Sequence, residues 1–141
     1  MDTETKRALR IAVADDSELV RDKIAQKMQK MQDIDVIWEA KDAQKAIENY
    51  EKNKPDILII DVQLPGISGI EMLKRIKAWE ERLTFFIVLT NYPHPILKNK
   101  SIEVGADYFF DKTTEFGKVI DVIKSIKLNG TKENNRTFNK T

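Results

Sequence analysis

The sequence has no cysteine among its 141 residues. That excludes a disulfide framework, a thiol nucleophile and a Cys-ligated zinc site, and is compatible with a reducing cytosol. No apolar run reaches the roughly 18 residues of a membrane span. The charged, polar stretch from Met1 to Arg10 lacks the apolar segment of a signal peptide. A cytoplasmic protein is therefore expected, with no membrane partner. An excess of one charge is missing too: Lys and Arg total 24, Asp and Glu 23, for a net of +1. The basic residues are scattered among acids, so neither a nucleic-acid footprint nor a polybasic patch stands out. A protein or a small molecule is the better partner, and no direct nucleic-acid contact is expected.

The composition is that of a globular chain, 41% hydrophobic, 33% charged and 8% aromatic, at the usual length of one domain. A folded chain of this size buries about two-thirds of the surface its unfolded form exposes, so it stands without metal or disulfide. Four short apolar runs read as strands: Leu9 to Ala14, Ile57 to Ile60, Phe85 to Leu89 and Tyr108 to Phe110. Ile57 to Ile60 is apolar at every position, the mark of a central parallel strand covered on both faces. A fifth run, Ile34 to Ala40, mixes Asp35 and Glu39 with apolar residues, as suits a strand nearer an edge.

Helical spacing fills the gaps. Val20, Ile24 and Met28 recur every four residues, and Ala43, Ala46, Ile47 and Tyr50 follow Asp42, a natural N-cap. Ser68 and Glu71 have capping-box spacing ahead of Met72, Leu73, Ile76 and Trp79. Leu97, Ser101 and Val104 form a weaker stripe that starts after Pro93 and Pro95 and stops at Gly105. Phe116, Val119, Ile120, Ile123 and Ile126 make the last. Strand-then-helix, five times over, predicts an α/β fold: an open, doubly wound parallel sheet with right-handed crossovers, since five units are too few for a barrel of about 250 residues. Residues 1–8 read as a flexible N-terminal segment, 9–128 as the domain and 129–141 as a flexible polar tail. A tail of that size leaves no room for a DNA-binding or catalytic output domain, so a complete chain would act through its own surface.

Ligands of such sheets bind outside the carboxyl ends of the strands. There the sequence places Asp15 and Asp16 after the first strand, Asp61 after the third, Thr90 after the fourth and Lys112 after the fifth. Singly, each has an ordinary explanation as a helix cap, a strand terminus or a solvated lysine. Together they put three carboxylates, an ammonium and a hydroxyl on one edge. Clustered carboxylates repel, and unless they are neutralised one takes up a proton. A hard divalent cation such as Mg²⁺, held by carboxylates and phosphate oxygens, resolves that conflict, and the absence of nearby His or Cys disfavours zinc. Asp61, leaving the most central strand, is the best candidate nucleophile, because a carboxylate ionised at neutral pH can form an acyl phosphate without a general base. Asp15 and Asp16 would hold the metal, while Lys112 and Thr90 would bind phosphoryl oxygens.

Ala14-Asp15-Asp16-Ser17, Ile60-Asp61-Val62-Gln63-Leu64-Pro65-Gly66-Ile67-Ser68-Gly69, Leu89-Thr90-Asn91 and Gly105-Ala106-Asp107-Tyr108-Phe109-Phe110-Asp111-Lys112 resemble the signature of response-regulator receiver domains of two-component signalling. The resemblance spans roughly Leu9 to Leu128. It implies the flavodoxin-like strand order 2-1-3-4-5 and a phosphoacceptor role for Asp61, supplied by a histidine kinase or a histidine phosphotransfer protein. It also implies Mg²⁺ at Asp61, with Asp16 a direct ligand, Asp15 a ligand through water and the Gln63 backbone carbonyl completing the set. Thr90 and Phe109 resemble the family's switch pair, which biases the face made by the fourth helix, fifth strand and fifth helix toward a downstream protein target. Such a protein is a switch, not an enzyme beyond phosphoryl acceptance and self-dephosphorylation. Phospho-dependent homodimerisation through the last helices is common in the family, although Lys118, Asp121 and Lys124 equally fit a solvated helix face.

Two features depart from the family pattern. Thr113 follows Lys112 where receivers usually carry proline, which predicts a less constrained loop and offers Thr113 or Thr114 as N-cap of the last helix. His94, in Tyr92-Pro93-His94-Pro95, reads as an exposed loop residue rather than a phosphodonor or ligand. The alternatives are an aspartate-dependent phosphohydrolase, whose Asp-x-Asp spacing is absent, and a flavin-binding protein, whose phosphate loop two aspartates would repel. A phosphorylation-independent pseudo-receiver and a receiver fragment of a longer DNA-binding regulator also remain open.

Overall fold

A computed structural model of the chain describes residues 7–79 and 83–131. The elements run β1 (Leu9–Ala14), α1 (Glu18–Gln29), β2 (Ile34–Ala40), α2 (Ala43–Lys52), β3 (Ile57–Asp61), α3 (Gly69–Trp79), β4 (Phe85–Thr90), α4 (Pro95–Glu103), β5 (Tyr108–Asp111) and α5 (Phe116–Asn129). All strand pairs are parallel, in the order β2-β1-β3-β4-β5. The doubly wound α/β fold is as expected, with the flavodoxin-like order. The segments expected to be flexible, 1–8 and 129–141, lie outside the described residues except for 7, 8 and 129–131.

Strand alternation divides the interior into two cores. Ile11, Val13, Ile57, Ile59, Ile87 and Leu89 pack against Ile24 and Met28 of α1 and Val119, Ile123 and Ile126 of α5. Ala12, Leu58, Ile60, Phe86 and Val88 face the other way, onto α2, α3 and the residues that follow α4. Every residue of β3 is buried, so its unbroken apolar run serves both cores. Each fully buried Ile or Leu contributes roughly 1.5–3 kcal/mol, which holds the centre of the sheet firmly enough to support charge at its end.

Helix starts follow the expected caps. The Asp42 side chain accepts from Lys45 N at 2.8 Å and Ser17 Oγ from Val20 N at 3.2 Å. Ser68 Oγ accepts from Glu71 N at 3.1 Å, while the Glu71 carboxylate pairs with Arg75 instead of completing the capping box. Gly105, at φ 112, ends the α4 turn, a left-handed conformation that glycine tolerates best. His94 is exposed, and its Nδ1 caps α4 by accepting from Ile96 N at 3.1 Å.

The last helix departs from expectation. Its N-cap is Glu115, with no side-chain cap bond, rather than Thr113 or Thr114. Both threonines lie instead in a turn before the helix, where the Asp111 carboxylate accepts from their amides at 2.8 and 3.4 Å. Strands β3, β4 and β5 also extend one residue beyond their apolar runs, so Asp61, Thr90 and Asp111 are strand residues paired across the sheet. β1 and β2 shift register between Ile11 and Ala12, a bulge at the edge of the sheet.

Candidate functional site

The carboxyl ends of β1, β3, β4 and β5 form one rim. Asp15, Asp16 and Asp61 gather there, with one oxygen from each lying within 4.8 Å of the others. Asp15 continues the Ile11, Val13 series of β1, and Asp61 the Ile57, Ile59 series of β3. Strand alternation thus delivers both carboxylates to the α1–α5 side. Asp15 is 2% exposed and Asp61 5%. Gly69 sits against the back of Asp61, where an added Cβ would meet the Asp61 carbonyl oxygen and lie 2.8 Å from Ile60 Cγ2.

Lys112 bridges the two buried acids. Its Nζ lies 2.7 Å from Asp15 Oδ2 and 2.9 Å from Asp61 Oδ2, and its side chain is only 8% exposed. The remaining oxygens accept backbone amides, Asp15 Oδ1 from Ser17 at 2.9 Å and Asp61 Oδ1 from Gln63 at 3.0 Å. Burial pushes the Asp61 carboxyl above its ordinary pKa; the hydrogen bonds from Gln63 and Lys112 oppose that shift, and the charge on Asp15 adds to it. Burial alone would favour a neutral Lys112 amine, but the hydrogen bonds to Asp15 and Asp61 outweigh it, and the ammonium is held above its ordinary value.

A cleft of about 260 Å³ opens over this cluster, lined by Asp16, Ser17, Val20, Lys23, Asp61, Gln63, Asn91, Lys112 and Phe116. The donors suit a hard divalent cation: all are oxygens, and the exposed Asp16 carboxylate has no partner among the described residues. Two buried acids sharing one lysine also leave an excess of negative charge that Mg²⁺ would offset.

The residues expected at the site fall into two groups. Asp15, Asp16, Asp61, Gln63 and Lys112 come together around the cleft. Thr90 is fully buried behind it; its Oγ accepts from Tyr92 N at 3.0 Å, and its carbonyl oxygen accepts from Lys112 N at 2.8 Å. Phe109 is buried in the core on the opposite face of the sheet from α1, with Leu97 and Val104 packed against that core.

Sequence reading missed the supporting residues. Arg21 donates from Nη1 to the Asp15 carbonyl oxygen at 2.6 Å and pairs through Nε with Glu39 at 3.2 Å, fastening the end of β1 to β2. Lys23 stands over the Phe116 ring, 4.2 Å from its centroid, at the mouth of the cleft. Nothing in local spacing marks the Arg21–Glu39 pair or the Lys23–Phe116 contact, since each joins segments far apart in the chain.

A parallel 2-1-3-4-5 sheet with an acidic cluster and a buried lysine at its carboxyl edge is the doubly wound architecture of the receiver class. The sequence agrees, because the family described as the response regulator receiver domain matches residues 11–124, and the chain belongs to that family. The Fimbriae Z protein of Salmonella typhimurium is 28% identical over 116 residues, 82% of this chain and 55% of the relative. Sporulation initiation phosphotransferase F of Bacillus subtilis is 31% identical over 87 residues, 62% and 69% of the two chains. Among solved structures, a two-component response regulator of the LuxR family from Aurantimonas superposes with a TM-score of 0.78 at 27% identity, covering 88% of each chain. The chain spans about half the length of the first of the curated relatives it matches. Receiver domains are signalling switches of two-component systems that bind Mg²⁺ at an acidic pocket and interact with histidine kinases or phosphotransferases, and the Asp15, Asp16, Asp61 cluster fits that site. No described helix is long and apolar enough to cross a membrane.

Proposed function

We propose that Asp61 accepts a phosphoryl group from a histidine kinase or phosphotransfer protein and that the chain signals through protein contacts of the face this modification alters. The observation that carries the reading is the convergence of three carboxylates within 4.8 Å beside the Lys112 ammonium. A carboxylate oxygen of Asp61 forms the new bond to phosphorus as the bond from phosphorus to the donor's imidazole nitrogen breaks, and the departing imidazole keeps that electron pair. No general base is needed, because the nucleophile carries no proton in its reactive form.

Lys112 orients the Asp61 oxygen and, as the acyl phosphate forms, pairs with a phosphoryl oxygen. Asp15, Asp16, Asp61 and the Gln63 carbonyl would hold Mg²⁺, which when bound neutralises phosphoryl charge. Thr90 turns its hydroxyl from the Tyr92 amide toward the new dianion, and Phe109 repacks into the space released. Water later cleaves the labile anhydride and resets the switch.

The test is incubation with Mg²⁺ and acetyl phosphate, followed by intact-mass measurement. Wild type gains a phosphoryl group and Asp61→Asn does not; equal labelling of the two would reject Asp61 as acceptor. A second reading is favoured by the relatives' greater length, in which the chain is the receiver of a longer DNA-binding regulator. Sequencing the intact gene separates the two.

A further inference from the structure

The turn that carries Lys112 is closed by a ring of hydrogen bonds. Asp111 N donates to Glu115 Oε1 at 2.9 Å, and Glu115 N donates back to the Asp111 carbonyl oxygen at 2.9 Å. Inside the ring, Asp111 Oδ1 accepts from Thr113 N at 2.8 Å and more weakly from Thr114 N at 3.4 Å. The second oxygen of Glu115 is held by Lys118 Nζ at 2.8 Å, one turn into α5. Lys112 is the first residue within the loop so enclosed, and its amide is fixed to the Thr90 carbonyl oxygen.

Two points give the ring a purpose beyond local order. Glu115 stands at the N-cap of α5 yet caps nothing there, since one carboxylate oxygen reaches back to β5 and the other goes to Lys118. A lysine side chain has four rotatable bonds and gives up much rotamer freedom when fixed. The Lys112 ammonium nonetheless meets two carboxylates at 2.7 and 2.9 Å, which demands a fixed backbone origin.

We propose that Glu115 is a positioning residue for phosphoryl acceptance: by closing the turn with Asp111 it fixes the backbone from which Lys112 reaches Asp15 and Asp61. The inference builds on Asp61 as the phosphoacceptor. Glu115→Gln retains a carbonyl oxygen for the Asp111 amide, Glu115→Ala removes it, and Lys118→Ala removes only the ion pair.

The experiment measures the rate of acetyl-phosphate labelling of the full chain with Mg²⁺, and in parallel the Lys112 side-chain nitrogen resonance in ¹⁵N-lysine protein. Glu115→Ala is expected to slow labelling roughly tenfold, on the scale by which sub-ångström misplacement of a catalytic group costs rate. It should also shift the Lys112 signal, whereas Glu115→Gln and Lys118→Ala stay near wild type in both. In a Lys112→Ala background, Glu115→Ala should add nothing. Equal slowing in that background, or wild-type rate and resonance for Glu115→Ala, overturns the proposal. If wild type itself takes no label on Asp61, the phosphoacceptor reading has failed instead, and the Lys112 resonance alone decides whether Glu115 holds the turn.

Discussion

Ionised Asp61 is costly where it stands. Its pKa is raised by burial, and the bonds from Gln63 N and Lys112 do not fully compensate. A carboxyl whose pKa is higher in the folded than in the unfolded chain stabilises the fold below its unfolded value and loses that contribution as pH rises through the folded value. At neutral pH the metal-free site therefore works against the fold. Asp61→Asn, which removes the charge and keeps the shape, is expected to raise the metal-free melting temperature at pH 7. The gap should close on acidification as wild-type Asp61 protonates. Thermal melts across pH check this, and an unchanged or lower melting temperature at pH 7 would contradict it. The shift belongs to the metal-free protein, since a cation bound beside Asp61 would favour its ionised form, while Lys112, held above its usual value, stays charged throughout.

At the scale of elements, α3 is fitted to β3 with no room to spare. Gly69 lets the first turn of α3 approach the Asp61 carbonyl, and Gly69 N donates to the Val62 carbonyl oxygen at 2.8 Å. A Cβ there would strike backbone, which cannot swing aside as a side chain can. Gly69→Ala is thus expected to cost about 1–3 kcal/mol, typical of overpacking, and to slow labelling because the displaced atom belongs to Asp61, the proposed acceptor. Urea denaturation and the labelling rate read the two effects. Such constraints explain what the sequence made legible. Unbroken apolar runs at Ile57 to Ile60 and Phe85 to Leu89 announce strands buried on both faces, and Asp42 and Gly105 announce helix ends by their own chemistry. Acids that follow such runs are legible as a cluster, because the topology leaves them one rim. The extra strand residues Asp61, Thr90 and Asp111 were hidden by their polarity. The closed turn at Asp111 and Glu115 was hidden because it depends on where two carboxylates reach, Asp111 to the Thr113 and Thr114 amides and Glu115 back to the Asp111 amide, beside threonines that look like caps. The bracing by Arg21 depends on β1 and β2 lying side by side, which no local pattern encodes.

For the whole molecule, the division of the interior into two cores determines where an event at Asp61 can be felt. Asp15 and Asp61 extend the strand series facing α1 and α5, whereas Thr90 follows Phe86 and Val88 on the side that holds Phe109, Leu97 and Val104. Under the proposed reading, a phosphoryl group that drew the Thr90 hydroxyl away from Tyr92 N would carry the change to the side of the sheet that holds α4. In that helix, among the described residues, the fully buried Ser101 Oγ has no hydrogen-bond partner. Mg²⁺ alone should act locally, stabilising wild type by about 1.4 kcal/mol at ten times its Kd and Asp61→Asn by less. Mg²⁺ with beryllofluoride should in addition move amide resonances from Thr90 through Lys112, Tyr92 and Val104 included, and leave the far side near Trp38 and Asn53 in place. Thr90→Ala supplies the decisive comparison. It keeps Asp61, Lys112 and the three carboxylates, so the mimic still binds, yet the α4 shifts should vanish while those beside Asp61 persist. If Thr90→Ala reproduces the wild-type pattern at α4, the signal does not pass through that hydroxyl; if wild type shows shifts only within the cleft, the α4 face is not the output surface.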